Sequence, residues 1–282
     1  MVRFRERFAP FCNGKLKILK RPDIHFLYPP MKVQNLKDRA FAKLGYARPQ
    51  PVAAPQLPDI SAEDMKAIQT VNGFTMTSLE RRYHLLQSVR HVVKHDIQGA
   101  FVECGVWRGG SMMLMAQTLN TCGDASRDLY LYDTFEGMPP PTELDKDFGN
   151  RPAAARLEAD EQAKESSQVW AIATLGEVKQ HMTNVGYSPK KINYVVGKVE
   201  ATIPATMPTK IALLRLDTDW YDSTAHELKY LYPLVVSGGV VIIDDYGYWQ
   251  GARKAVDEFL EQSKDRILLH RIDDTGRAFV KP

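Results

Sequence analysis

The chain has 282 residues, of which 44% are hydrophobic and 25% charged, the balance of an ordinary globular protein. No apolar run approaches the ~20 residues of a membrane-spanning helix, and the N-terminus lacks the continuous apolar core of a secretory signal, so membrane insertion and export are not expected. The net charge of +3 is uneven: residues 1–50 carry 12 Lys and Arg against 3 Asp and Glu, a net +9, while the remainder carries 25 against 31, a net −6.

A basic arm of this kind can meet nucleic acid, an anionic surface or a partner subunit. Here its cations are interleaved with Phe4, Phe8, Phe11, Phe26, Leu27 and Tyr28, side chains that need burial. Packing on the chain's own body, or in a homodimer or higher homo-oligomer, is therefore expected, with neither nucleic acid nor membrane as partner. The three cysteines, Cys12, Cys104 and Cys122, are odd in number and lack metal-ligand spacing, which suits a reduced, cytoplasmic setting. The segment 47–58, ARPQPVAAPQLP, reads as an extended linker. The expected organisation is a basic extension with its linker over 1–60 and one catalytic domain over 61–282.

Residues 61–72 read as a helix, and a second runs from about Ser78 to Lys94 with apolar residues at Leu79, Tyr83, Leu86, Val89 and Val92. Strand patterns follow at 100–105, 128–133, 192–197, 211–217 and 239–244. Helical patterns fall at 111–120, 174–185, 222–231 and 251–263. Alternation of this kind predicts a parallel sheet covered by helices on both faces. The tail, ILLHRIDDTGRAFV, reads as two strands about a turn at Asp273–Gly276. The expected fold class is α/β and Rossmann-like: a mostly parallel seven-stranded sheet with a C-terminal antiparallel hairpin, the topology of class I methyltransferases. Residues 136–170, rich in Pro and charge, form the least regular stretch and are expected to be a lid partly ordered by helical turns.

Four aspartates stand out. Asp217 and Asp219 in RLDTDW, and Asp244 and Asp245 in VVIIDDYG, each follow an apolar run that reads as a buried strand. They fall at the carboxyl ends of strands, where open α/β sheets bind ligands. Carboxylates crowded at one edge repel unless a cation neutralises them, and hard oxygen ligands suit Mg²⁺. The competing reading is a set of solvated acids capping the next helices. Two clusters at two strand ends favour the metal.

FVECGVWRGGS places Glu103 and Gly105 at the end of the first strand, and Gly109-Gly110-Ser111 opens the next helix. The glycines permit a tight turn and close ligand approach, and the helix N-terminus favours an anionic group. The dinucleotide fingerprint is absent; the looser E-x-G-x-x-x-G suits S-adenosylmethionine. Asp133, at the end of the second strand, is placed to accept ribose hydroxyls. Phe135 fits adenine stacking or the core equally well. His226 reads as a helix-surface histidine. One or two of Trp220, Tyr221, Tyr246, Tyr248 and Trp249 are expected beside an acceptor.

Five strings, MTSLERRY at 76–83, VECGVWRGGS at 102–111, LYDTFEGMPPPTE at 131–143, LLRLDTDWYDSTAHELKYLYP at 213–233 and GGVVIIDDYGYWQGARKAVDEF at 238–259, resemble the macrocin O-methyltransferase family in order and spacing. The resemblance implies a class I fold, S-adenosylmethionine as methyl donor and Mg²⁺-dependent transfer to a hydroxyl of a sugar or glycosylated natural product. It implies cofactor roles for Glu103, Gly105 and Asp133, metal ligation by Asp217, Asp244 and Asp245, and Asp219 as general base. Thr77 and Arg81 would border the cofactor. Ala201 departs from the family string, which carries an acid there. The alternatives are a metal-dependent catechol or phenol O-methyltransferase and, from another class, a metal-dependent hydrolase. A nucleotide-sugar dehydrogenase is disfavoured because the dinucleotide glycines are missing.

Overall fold

The computed structural model describes residues 57–282; the basic arm and most of the linker lie outside the described residues. Helix α1 spans Ala62–Thr70 and α2 spans Leu79–Lys94, each begun by a serine N-cap: Ser61 Oγ accepts from Asp64 N at 3.1 Å and Ser78 Oγ from Arg81 N at 3.1 Å. The core then alternates: β1 (Ala100–Cys104), α3 (Gly110–Cys122), β2 (Leu129–Asp133), α4 (Ala153–Ala159), α5 (Leu175–Thr183), β3 (Ile192–Val196), α6 (Val199–Thr202), β4 (Ile211–Leu216), α7 (Tyr221–Leu231), β5 (Val235–Ile243), α8 (Gln250–Gln262), β6 (His270–Arg271) and β7 (Arg277–Val280).

The seven strands form one sheet in the order β3-β2-β1-β4-β5-β7-β6. β1 to β5 are parallel, and β7 runs antiparallel between β5 and β6. This is the expected architecture. Chain order reverses between β1 and β4, which opens a crevice at their carboxyl ends.

Burial on both faces explains the unbroken apolar strands. On one face, Phe101, Leu213, Val240 and Ile242 pack with α2, α3 and α5; on the other, Val102, Leu214, Val241 and Ile243 pack with α7 and α8. β5 begins at Val235, four residues before its expected start, because Ser237-Gly238-Gly239 reads as a turn. Pairing with β4 carries the chain through it, with a register shift between Ile211 and Leu213 and Gly238 at φ 80°.

The segment 136–170 is fastened down by two fully buried aspartates. Asp145 accepts from Tyr221 N at 2.8 Å and from Thr142 N at 2.7 Å. Asp147 accepts from Gly149 N, Arg151 N and the guanidinium groups of Arg151 and Arg156. Between them, Ala153 and Leu157 pack on Trp220, Trp249 and Ala252 as a third small core. Half of the segment is thus a fixed cover over the ends of β4 and β5.

Candidate active site

Three non-glycine residues just past the carboxyl ends of β1, β2 and β4 hold left-handed backbone: Trp107 at φ 46°, Phe135 at φ 55° and Asp219 at φ 68°. Such conformations are costly and concentrate where a fold builds a functional site. Gly105 allows the two central strand ends to approach: a Cβ there would lie 1.9 Å from the Asp217 carbonyl oxygen.

Two chambers open on this edge. The first lies over β1, β2 and β3, with flat apolar walls from Trp107, Met138 and Val199 and a polar rim that includes Asp133, Gln168 and Lys198. The second lies over β1, β4 and β5 and holds Asp217, Asp219, Asp244 and Asp245 together with Arg81 and Arg215. Met76, Trp107, Gln168, Asp217 and Asp219 line both. A ligand in the first chamber therefore meets one in the second at the Asp217–Asp219 loop.

The acids are organised by Arg215, a residue that the sequence reading passed over although a cation inside an apolar central strand is itself a signal. Arg215 is 3% exposed. Its Nη1 lies 2.6 Å from Glu103 Oε1, and its Nη2 lies 2.8 Å from Asp217 Oδ2 and 3.0 Å from Asp244 Oδ2. Arg81, from the first turn of α2, donates to the same Asp244 oxygen and, at 2.9 Å, to Asp273 in the β6–β7 turn. Ser78 Oγ also donates to Asp273, at 2.5 Å. The N-terminus of α2 and the hairpin turn thus wall the second chamber.

Five acids, Glu103, Asp217, Asp219, Asp244 and Asp245, share two arginines here. Burial first, then the Asp217 charge, pushes Asp219 up to about 7. Burial, opposed by Arg215, pushes Glu103 up to about 7. Asp217 and Asp245 are raised well above the usual carboxylate range by burial and then, despite Arg215 in the case of Asp217, by their acidic neighbours. Such a site binds protons or a cation. One oxygen each from Asp217, Asp219 and Asp245 lies within 4.8 Å of the others. Asp244, expected as a ligand, stands outside that trio: its Oδ2 is taken by the arginines, while its Oδ1 is buried without a partner among the described residues. Hard oxygens, surplus negative charge and an unpartnered buried carboxylate oxygen fit a divalent cation such as Mg²⁺.

The cofactor residues named from the sequence separate. Gly105 and Asp133 line the first chamber; Thr77 and Ser111 line the second. Glu103 lines neither and lies wholly buried beside Arg215. Asp133 Oδ2 accepts from the backbone N–H groups of Val106 at 2.6 Å and Trp107 at 3.0 Å, and Oδ1 accepts from Phe135 N at 2.7 Å. Its carboxylate therefore shapes the glycine-rich turn and its own while lining the first chamber. Phe135 is 5% exposed and belongs to the core, the second of its two readings. The N-terminus of α3 is partly spent, because Gly110 N donates to Phe74 O at 2.9 Å.

Among the aromatics, Tyr248 and Trp249 line the second chamber. Trp220 is buried with Nε1 on Pro139 O at 2.9 Å, and the hydroxyls of Tyr221 and Tyr246 are held by Glu258 and Asp257. His226 on α7 lines neither chamber, its Nε2 lying 3.0 Å from Ile203 O. Ala201 is exposed on α6 and lines neither chamber.

The strand order, the crevice at the switch point and the acidic chamber define an α/β methyltransferase of class I. Residues 60–281 match the family model described as macrocin-O-methyltransferase (TylF), and the chain belongs to that family of O-methyltransferases. It is 32% identical over 202 residues to the 8-demethyl-8-(2,3-dimethoxy-alpha-L-rhamnosyl)-tetracenomycin-C 4'-O-methyltransferase of Streptomyces olivaceus, covering 72% of this chain and 73% of the relative. It is also 32% identical over 188 residues to the demethyldecarbamoylnovobiocin O-methyltransferase of Streptomyces niveus, covering 67% and 68%. Among solved structures, the O-methyltransferase NovP matches with a TM-score of 0.62 at 30% identity, over 73% of this chain and 81% of that one. Among the described residues, no helix is long and apolar enough to cross a membrane.

Proposed function

We propose that the chain transfers a methyl group from S-adenosylmethionine to a hydroxyl of a sugar or glycosylated natural product, with Mg²⁺ required. The observation that carries this reading is the meeting of an apolar-walled chamber and an acidic chamber at the Asp217–Asp219 loop, beside the buried Asp244 Oδ1. The relatives' names support the acceptor class: one acts on a rhamnosyl-tetracenomycin, another on a decarbamoylnovobiocin.

In this reading Asp217, Asp244 and Asp245 hold the cation, which supplies the positive charge that acidifies a hydroxyl. Arg215 and Arg81 fix Asp217 and Asp244 by one oxygen each. Asp219 accepts the hydroxyl proton, as a carboxylate beside the acceptor can do as general base. S-adenosylmethionine supplies an already activated methyl, held against Trp107 and Met138 in the first chamber. Asp133 acts by holding the Val106–Trp107 turn in shape. The cover over 136–170 excludes water from the acceptor side.

The test combines calorimetry of S-adenosylhomocysteine binding with methylation assays on rhamnosides and nucleotide sugars, with Mg²⁺ and with chelator. Nucleoside binding and turnover abolished by chelator are expected. Full turnover in excess EDTA, or no S-adenosylhomocysteine binding, would overturn the reading.

A further inference from the structure

A groove of about 600 Å³ adjoins the acidic chamber on its outer side, within the about 300–1,000 Å³ range of small-molecule sites. Its lining includes Leu144, Phe148, Tyr248 and Trp249, and the last two also line the acidic chamber. Among the described residues, Phe148 is 68% exposed and Leu144 42%. One exposed apolar side chain is ordinary. Phe148 belongs to a continuous aromatic ladder. Phe148 meets Tyr248 edge-on at 5.4 Å, Tyr248 meets Trp249 at 5.1 Å, and Trp249 meets the buried Trp220 at 4.9 Å.

The ladder's outer rung is built on a fixed frame. Phe148 follows the fully buried Asp147, whose carboxylate is held by Arg151 and Arg156. Residues 146 and 147 are tied to α8 by Gln250 N on Lys146 O at 2.8 Å and Gln250 Nε2 on Asp147 O at 2.9 Å. Asp145 and Asp147 anchor the segment whose Ala153 and Leu157 join the small core, while Phe148 and Leu144 themselves face outward. On the groove's charged rim Arg253 pairs with Asp257 at 3.5 Å and Lys254 with Glu258, while Glu143, Lys146 and Glu261 line it without an ion pair among the described residues. A flat ring finds aromatic faces and edges in the same groove.

We infer that this groove is the subsite for an aromatic or fused-ring aglycone of the acceptor, with Phe148 as its specificity-determining residue. The inference rests on the reading that the acidic chamber holds the acceptor's sugar. A sugar seated among Asp219, Asp245 and Trp249 projects its glycosidic substituent along Tyr248 toward Phe148. The subsite takes rings because the ladder offers ring faces and edges.

The experiment uses the full chain loaded with S-adenosylhomocysteine and Mg²⁺. Its probes are 2-naphthyl and methyl α-L-rhamnopyranoside, whose binding is followed by calorimetry and whose methylation is followed separately. Wild-type protein is expected to bind the naphthyl glycoside on the order of tenfold more tightly. Phe148→Ala removes that preference and leaves methyl rhamnoside binding unchanged; Phe148→Trp restores it. Equal binding of the two probes by wild type overturns the inference, as does a preference that survives in Phe148→Ala. Concentration-dependent hydrogen-exchange protection of residues 143–148 in the free protein would place a second copy in the groove and overturn it too. A naphthyl preference lost in Phe148→Ala, without methylation of either probe, would retain the subsite and discard the proposed reaction.

Discussion

Glu103 and Arg215 are lateral neighbours on the two central strands, and Arg215 Nη1 donates to Glu103 Oε1 at 2.6 Å. The pair lies one step below the acids at the strand ends and on the same face, so the guanidinium's other nitrogen reaches Asp217 and Asp244. A group buried in the sheet thereby sets the position of groups that face the cleft.

Removing one partner of such a pair leaves an uncompensated buried charge. Arg215→Ala is expected to destabilise the protein by about 3–5 kcal/mol in urea unfolding. The double variant Arg215→Met with Glu103→Gln recovers part of that loss, because the buried glutamate charge is then removed with its counterion, while Asp217 still loses its arginine. Both variants lose Mg²⁺ affinity, since Asp217 and Asp244 are no longer held.

Asp219 and Asp244 separate proton transfer from ion binding. Asp219→Asn is expected to lower kcat by about 10²–10⁴-fold with Mg²⁺ affinity largely kept. Asp244→Ala abolishes Mg²⁺-dependent activity while S-adenosylhomocysteine still binds. Isothermal calorimetry of both ligands beside steady-state kinetics distinguishes them. Unchanged Mg²⁺ affinity in Asp244→Ala would remove that residue from the ligand set.

The acidic cluster makes folding stability depend on the cation. Mg²⁺ binds the folded arrangement and not the unfolded chain, so stability rises with its concentration. In differential scanning fluorimetry Tm is expected to climb with added Mg²⁺ and to fall with EDTA. In Asp245→Asn the climb is smaller, and the metal-free Tm is higher than that of wild type because a repulsive buried charge is gone.

Acid stability has a separate source at the other end of the domain. Asp64 on α1 accepts from both Nη atoms of Arg90 on α2, and this hydrogen bonding holds its carboxyl below the usual range. A carboxyl depressed in the folded state stabilises fully above its unfolded value of about 3.9, and that contribution is lost as pH falls through the lower folded value. Between pH 5 and 2, Asp64→Asn is expected to show a shallower loss of stability than wild type in urea titrations.

Much of this was legible along the chain. The five parallel strands and their helices fell where the apolar runs and periodicities placed them, because a strand buried on both faces must be apolar throughout. The four aspartates of the two strand-end clusters were visible for the converse reason: acids ending apolar runs are costly without a purpose. Arg215 was not recognised because its partner, Glu103, stands 112 positions away in sequence and beside it in the sheet. Asp145 and Asp147 carry no local signal; their burial follows from backbone N–H groups and arginines that only the folded loop collects.

The sequence by itself determined the sheet, the acids at its edge and the family, since periodicity and local spacing are properties of neighbouring residues. Tertiary structure alone decided which acid oxygens are spent on arginines, that Phe135 is core, and that Phe148 stands outward at the end of an aromatic ladder. Those outcomes depend on parallel-strand register and loop closure, which set distances between residues far apart in the chain, and no local pattern encodes them.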